Sequence, residues 1–513
     1  MQVIGDILRL NAKRYPDKKA LIMGNEYLTY YQLNQQVNQL AHGLLSLGVG
    51  PGHKVAILAY NSVDWVIINY AVAKCGGVVV PINFRYKKDE LVYVINNSEP
   101  SLLFFGPDLL PLVEEAKPEL PSSTQLVSIS GDPVESGHKL KNLMDGQSTS
   151  EPGVKVDPAS PLALTYTSGT TGLPKGVLAS HSTFLSIYQG MVVEGDLQPD
   201  EITLIPLPFF HVAGIHALIQ PTFLRGGTAV IMGKGFDPDE NLDAVVRYGV
   251  TLTMWVPTQL AMLVNHSGLT DYNVSTLKKI WYGSSPINPT VLEACMDFFK
   301  AGFYQWYGQT EAGMVAVLRP EDHVERSQCT GREFYNSDLR VVDEEGEDTP
   351  IGGVGEIISA QYPLGMIGYY GMEQATKETI REGWIYTGDL ARVDGNGYFT
   401  IADRSKDMII SGAENIYPKE IEEIISRHPG VKEVAVFGIP DKIYGESVCA
   451  TVVKKEGYKI NEQEIIDFCA SNISSYKKPK KVVFIDELPK NAFGKVTKHI
   501  LREPYWVGWE KRI

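Results

Sequence analysis

Between two apolar runs, Leu162-Ala163-Leu164 and Val177-Leu178-Ala179, the chain reads Tyr166-Thr167-Ser168-Gly169-Thr170-Thr171-Gly172-Leu173-Pro174-Lys175-Gly176. Gly169, Gly172 and Pro174 interrupt both helix and strand. The run therefore predicts a tight loop that leaves a buried strand. Gly169 and Gly172 let the backbone curl so that N–H groups converge on one anion. Thr167, Ser168, Thr170 and Thr171 add hydroxyls, and Lys175 adds a positive charge. This is equipment for holding a polyphosphate. It is not a Walker loop, which ends Gly-Lys-Ser/Thr, because here Lys175 is followed by Gly176-Val177.

The strands around that loop belong to a longer alternation. Lys54–Leu58 reads as a strand, Trp65–Lys74 as an apolar helix, and Val78–Val80 as the next strand. Thr203–Ile205, Ala229–Ile231, Thr251–Trp255 and Lys279–Trp281 continue the pattern. Alternating strands and helices predict parallel sheets of βα units. From Gly331 to Thr400 short strands and Gly/Asp-rich turns predict an antiparallel β subdomain. After Asp403-Arg404-Ser405-Lys406-Asp407 an α+β unit of about a hundred residues begins. The expected fold class is thus α/β. A large N-terminal domain, 1–405, carries parallel-rich sheets and the antiparallel subdomain. A small, mobile α+β domain, 406–513, follows a hinge at Lys406. A chain of 513 residues has room for both cores.

Composition narrows the function. The net charge of −14 argues against nucleic acid as a partner. Five scattered cysteines form no disulfide framework or zinc spacing, which predicts a cytoplasmic protein. Met1–Asp6 has no signal-peptide pattern, and no run reaches the roughly 18 apolar residues of a membrane span. From Lys477 to Ile513, however, ten Lys/Arg stand against four Asp/Glu, with Tyr505, Trp506 and Trp509 among them. Basic residues beside aromatics raise the expectation of a weak peripheral membrane contact, against the alternative of a solvated tail.

Further motifs stand in register with the loop: Tyr282-Gly283-Ser284-Ser285-Pro286, Tyr307-Gly308-Gln309-Thr310-Glu311, Tyr386-Thr387-Gly388-Asp389, Asp403-Arg404, and Gly494-Lys495. Together they resemble the adenylate-forming superfamily from about Leu28 to about Arg502, most closely its bacterial fatty-acyl-CoA synthetases. The resemblance implies ATP, Mg2+ and CoA as cofactors and co-substrate, and a lid that rotates about Lys406 between half-reactions. It makes Glu311 and Thr167 metal-binding, Thr310 a contact to the α-phosphate, and Tyr307 a surface for adenine. It makes Gly283, Ser284 and Ser285 the adenine loop, and Asp389 with Arg404 the ribose contacts. Lys495 becomes the donor to the attacking carboxylate, Gly412 a residue of the pantetheine channel, and His211 the gate to the acyl pocket. Without that register, Thr310-Glu311 would read as a helix start, and Ser284-Ser285 as a turn with a serine cap.

Trp255, Tyr282, Trp306, Met314 and Val315 stand where relatives build the acyl pocket, and the Leu207–Val212 segment holds no carboxylate to pair with an amino group. The expected acid is therefore a medium- to long-chain fatty acid, with an aryl acid as alternative. A carrier-protein acceptor, a non-catalytic acyl-AMP or fatty-acid binder, and a homodimer are the other expectations the resemblance leaves standing.

Overall fold

The computed structural model describes residues 1–131, 137–167, 174–285, 287–404, 407–411, 414–441, 444–473, 477–490, 496–507 and 509. The expected hinge, Lys406, lies outside them.

The alternation read from the sequence builds two large sheets among the described residues. In the first, parallel strands Thr228–Ile231, Ile202–Ile205, Leu252–Met254, Lys279–Gly283 and Gly302–Gln309 lie side by side in that order. Gly313–Leu318 turns back antiparallel on the last of them. In the second, Pro161–Thr167 lies parallel to Val78–Pro81, which lies beside Lys54–Leu58. Lys175–Ser180 folds back antiparallel on Pro161–Thr167, and the two-residue strand Gly368–Tyr369 adds to its far side. Parallel strands with helices on both faces are buried, which is why they read as unbroken apolar runs.

The helix Val63–Lys74 shows the same logic. Its residues from Trp65 to Lys74 are all buried, so it is apolar all round instead of along one stripe. The helix His181–Glu194, capped by the Ser180 hydroxyl on the Thr183 N–H, contributes Phe184, Ile187, Tyr188 and Met191 to the main core. Leu207, Trp281, Trp306 and Leu364 share that core.

An antiparallel sheet of Leu339–Val342, Val354–Ala360, Trp384–Val393, Ile380–Arg381 and Phe399–Arg404 follows. A last sheet, with helices Pro418–Ser426 and Glu462–Asn472, has a core of its own built from Ile409, Ile421, Val436, Val448, Val452 and Ile465. The fold is the expected one: α/β, with a large N-terminal part and a smaller C-terminal one.

The C-terminal basic stretch is more occupied than its composition suggests. Lys477, Lys480, Lys490 and Lys498 pair with Glu420, Asp441, Glu433 and Glu422. In the helix Lys498–Trp506, which the sequence reading missed, Trp506 donates to the Gly438 carbonyl and Tyr505 packs on Phe437. Trp509 stays 45% exposed. Four of the ten basic residues and two of the three aromatics that suggested a membrane surface thus make contacts within the chain. Among the described residues no helix is long and apolar enough to cross a membrane.

Candidate active site

Asp389 sits where the antiparallel sheet meets the first large sheet, and its local backbone is built to present it. The Thr387 hydroxyl donates to the Ile357 carbonyl at 2.7 Å and accepts the Asp389 N–H at 3.1 Å. Gly388 between them has φ +69°, a conformation open to glycine at little cost, and its N–H reaches Glu356 Oε1 at 2.7 Å. The strand slips register at this point. That irregularity accounts for the Thr-Gly-Asp order: a hydroxyl, a left-handed glycine, and then the carboxylate.

Two donors from the neighbouring strand hold that carboxylate. The Tyr307 hydroxyl and Gln309 Nε2 reach Asp389 Oδ2 at 2.7 and 2.6 Å, and Gln309 also reaches the Thr387 carbonyl at 2.9 Å. Asp389 is only 4% exposed. Burial raises the pKa of nearby Glu356, and the Asp389 charge adds to it. Across the strand pair, Asp389 faces Arg404 at the Cα level. The Arg404 side chain lies outside the described residues. Gln309, the variable position of its motif, was not singled out from sequence; its signal was its place two residues after Tyr307 on one strand.

Thr310 and Glu311 lie in the turn between Gly302–Gln309 and Gly313–Leu318. This corrects the helix-start alternative: the pair closes an antiparallel hairpin. Gly313 has φ +70°, and a Cβ there would lie 2.4 Å from the Leu364 carbonyl oxygen. Glu311 Oε1 accepts from the Tyr369 hydroxyl at 3.0 Å and from Thr167 Oγ1 at 3.4 Å. Oε2 takes no hydrogen bond among the described residues. The Glu311 carbonyl accepts the Met366 N–H at 2.8 Å. Thr167 faces Lys175 across its strand pair, and Lys175 Nζ stands 5.0 Å from the centre of the Tyr369 ring. Strand pairing thus brings Thr167, Lys175 and Glu311 to one corner. Ser168, Gly169, Thr170 and Thr171, between the first two, lie outside the described residues.

Magnesium is held by few protein groups, commonly one or two carboxylates plus phosphates. One open carboxylate oxygen with a threonine hydroxyl beside it fits that demand. Among the described residues no cluster of three or more His, Cys, Asp or Glu forms a self-sufficient metal site.

Gly283 ends its strand beside Trp306, and a Cβ there would lie 2.2 Å from the Trp306 carbonyl oxygen. The neighbouring strand alone therefore requires glycine at this position. Ser284 follows at φ +69° and is exposed, while Ser285 is half-buried. The cap of the next helix is Asn288, which accepts the Thr290 N–H, and not a serine.

His211 precedes a π-helical turn, Ala213–Ile219, a rare geometry that is frequent at functional sites. Its Nδ1 accepts the Ala213 N–H at 3.2 Å, so the neutral ring carries its proton on Nε2. Burial pushes its pKa down to about 4. Further along the same turn, His216 Nδ1 meets the Tyr188 hydroxyl at 2.5 Å and stacks on Phe184 with centroids 3.9 Å apart.

The five residues expected around an acyl pocket separate. Trp306 lies in the main core with Met314 packed against it. Trp255 and Tyr282 belong to a second core, where Trp255 donates to Asn241 Oδ1 and Tyr282 meets His323 and Gln305. Val315 lies in a third. The reason is strand alternation: Trp281, not Tyr282, shares the face of Trp306, with ring centroids 4.7 Å apart. Lys495 and Gly412 lie outside the described residues.

The sequence model of the AMP-binding enzyme family matches residues 8–370, and that of the AMP-binding enzyme C-terminal domain matches 420–495. The chain is 35% identical to the fatty acid–[acyl-carrier-protein] ligase ScoC of Streptomyces coeruleorubidus, over 99% of its own length and 97% of the relative's. It is 36% identical to a feruloyl-CoA synthase of Amycolatopsis sp, over 96% and 97%. Among solved structures, the anthranilate CoA ligase AuaEII in complex with anthranoyl-AMP superposes with a TM-score of 0.91 at 27% identity, over 98% and 97% of the two chains.

Proposed function

The chain belongs to the AMP-binding enzyme family and is an AMP-forming acid–thiol ligase, and from that premise we propose that it converts a medium- to long-chain fatty acid into its CoA thioester. The observation that carries the reading is the convergence of Asp389, Glu311, Thr167 and Lys175 at the meeting of three sheets.

In the first half-reaction a carboxylate oxygen of the acid attacks the α-phosphorus of ATP. A phosphorus–oxygen bond forms, the bond to the β-phosphate oxygen breaks, and pyrophosphate leaves. Asp389 is suited to accept hydrogen bonds from the ribose hydroxyls, while Tyr307 and Gln309 keep it from turning. Lys175 brings positive charge to the phosphates. Glu311 Oε2, with Thr167, would hold magnesium, whose charge offsets that of the departing pyrophosphate when it is bound. Following the resemblance, Lys495 donates to the attacking carboxylate. In the second half-reaction the CoA thiolate attacks the acyl carbon and AMP leaves. Neutral His211 stands beside the apolar core as the gate between acid and thiol. Rotation about Lys406, with Gly412 at the thiol channel, completes the proposal.

Phe184, Ile187 and Met191 along one helix, with Leu364 and Met314 beside them, support an alkyl chain. A second reading, an aryl acid, is favoured by the Trp281–Trp306 pair and by Tyr304, stacked on Trp306. Purified protein with ATP, magnesium and CoA, offered acids from acetate to oleate and a set of benzoates and cinnamates, tests both. Acyl-CoA read by mass should peak among the longer alkanoates; a peak among the aromatic acids replaces the first reading with the second.

A further inference from the structure

Tyr369 touches both charged groups of the metal corner. Its hydroxyl donates to Glu311 Oε1 at 3.0 Å, and its ring lies under Lys175 Nζ at 5.0 Å. A phenol keeps its proton at neutral pH, so the hydroxyl acts as the donor to Glu311.

Its own position is unusually well determined. Gly368–Tyr369 pairs with Val177–Leu178, two residues beyond Lys175. The Tyr369 N–H donates to Thr376 Oγ1 at 2.9 Å, and the Tyr370 N–H donates to the Gly176 carbonyl at 2.8 Å. A Cβ at Gly368 would lie 2.8 Å from Thr376 Cγ2, so the strand is clamped from above. Three residues upstream, the Met366 N–H holds the Glu311 carbonyl. One short segment thus grips Glu311 by backbone and side chain and is laced to the strand that carries Lys175.

We infer that Tyr369 is a positioning residue that turns Glu311 Oε2 toward the metal and holds Lys175 beside it. The inference rests on the reading of Glu311 as the magnesium ligand. Geometry supplies the reason: both hydroxyl donors, Tyr369 and Thr167, use Oε1, and the other oxygen is left for a cation. A partner that orients a metal ligand is commonly worth 10–100-fold in metal affinity. The ring contact with Lys175 is worth less, a few-fold.

The test is binding, with activity as a second readout. Mn2+ is titrated into the full-length protein with α,β-methylene-ATP, and free Mn2+ is read by electron paramagnetic resonance. Metal-free binding of the same nucleotide is read by calorimetry, and thermal melts monitor folding. Tyr369→Phe should weaken Mn2+ by about tenfold and leave metal-free nucleotide affinity unchanged. Tyr369→Leu should weaken Mn2+ equally and also lower metal-free affinity by a few-fold. In turnover, the magnesium half-saturation should rise in both variants while KM for CoA stays fixed. Unchanged or tighter Mn2+ binding in folded Tyr369→Phe, with Glu311→Gln weakened, overturns the role of Tyr369 alone. Unchanged Mn2+ binding in Glu311→Gln overturns the metal reading beneath it.

Discussion

Two carboxylates define the site, and they are held in opposite ways. Asp389 is 4% exposed, and two donors share its Oδ2 at 2.6 and 2.7 Å. Glu311 is half-buried in a hairpin turn, and its Oε1 takes contacts of 3.0 and 3.4 Å. Short bonds from side chains anchored within strands suit a group that must meet a fixed diol. Longer bonds on one oxygen suit a group whose other oxygen meets a cation bound together with the nucleotide. The difference teaches that preorganisation here is graded: tight around Asp389, the proposed ribose contact, and looser around Glu311, the proposed metal ligand.

Glu311→Gln breaks the comparison most severely. It keeps the shape and removes the charge, so adenylation at limiting magnesium should fall by about 10²–10³. The check is a pyrophosphate-release assay across magnesium concentration; normal activity at limiting magnesium takes Glu311 out of the metal site.

Asp389→Ala should act on the other corner. Loss of one charge-assisted hydrogen bond, worth about 1.5–3 kcal/mol, should raise KM for ATP by roughly tenfold to a hundredfold and leave the magnesium half-saturation where it was. The wild type should prefer ATP to 2′-deoxy-ATP, and the variant should lose that preference. If both variants move both constants alike, the corners are not separable.

Acid acts on the fold as well as on the site. Burial depresses the pKa of His181 and His211 to about 4 and that of His216 to about 3, from 6.5. Because the folded values lie below the unfolded one, their contribution is complete above pH 6.5 and is lost as pH falls toward the folded values. Each histidine then contributes a loss of up to about 1.4 kcal/mol per pH unit. Melting temperature should fall between pH 6.5 and 4, and His216→Gln should flatten the slope. An unchanged slope in that variant would show that its ring does not titrate on unfolding.

The smallest effect is expected from Thr387→Val, which loosens the seat of Asp389 without touching its charge. Two bonds are lost, about 1–2 kcal/mol together, so the melting temperature should drop by a few degrees. ATP affinity should weaken by a few-fold, read by calorimetry. A drop in stability with unchanged ATP affinity would mean that Tyr307 and Gln309 suffice to hold Asp389.

Much of this was legible before folding. Lys54–Leu58, Val78–Val80 and Lys279–Trp281 read as strands because buried parallel strands are apolar on both faces. Lys175 was singled out by its company of glycines and hydroxyls, and Asp389 and Glu311 by the register of their motifs with the family resemblance. What escaped detection depends on distant partners. Tyr369 reaches Glu311 across 58 residues with no local pattern, and Gln309 reaches Asp389 across 80 with no local sign but its place two residues after Tyr307. Tyr282 was grouped with Trp306, but the pairing of their strands places Trp281 on that face. Lys498–Trp506 went unread as a helix, in a stretch that carries Pro504.

By itself the sequence determined the chemistry available: which loop can meet phosphate, which carboxylates and lysines stand by, and which runs must be buried. Those are consequences of residue type and short spacing, acting over a few residues of backbone. The tertiary structure alone decided which oxygen of Glu311 is occupied, which donors lock Asp389, and which residue of the Trp281-Tyr282 pair packs on Trp306. Each of these turns on strand register and on contacts between segments dozens to hundreds of residues apart, where a shift of one residue would reverse the face of every side chain.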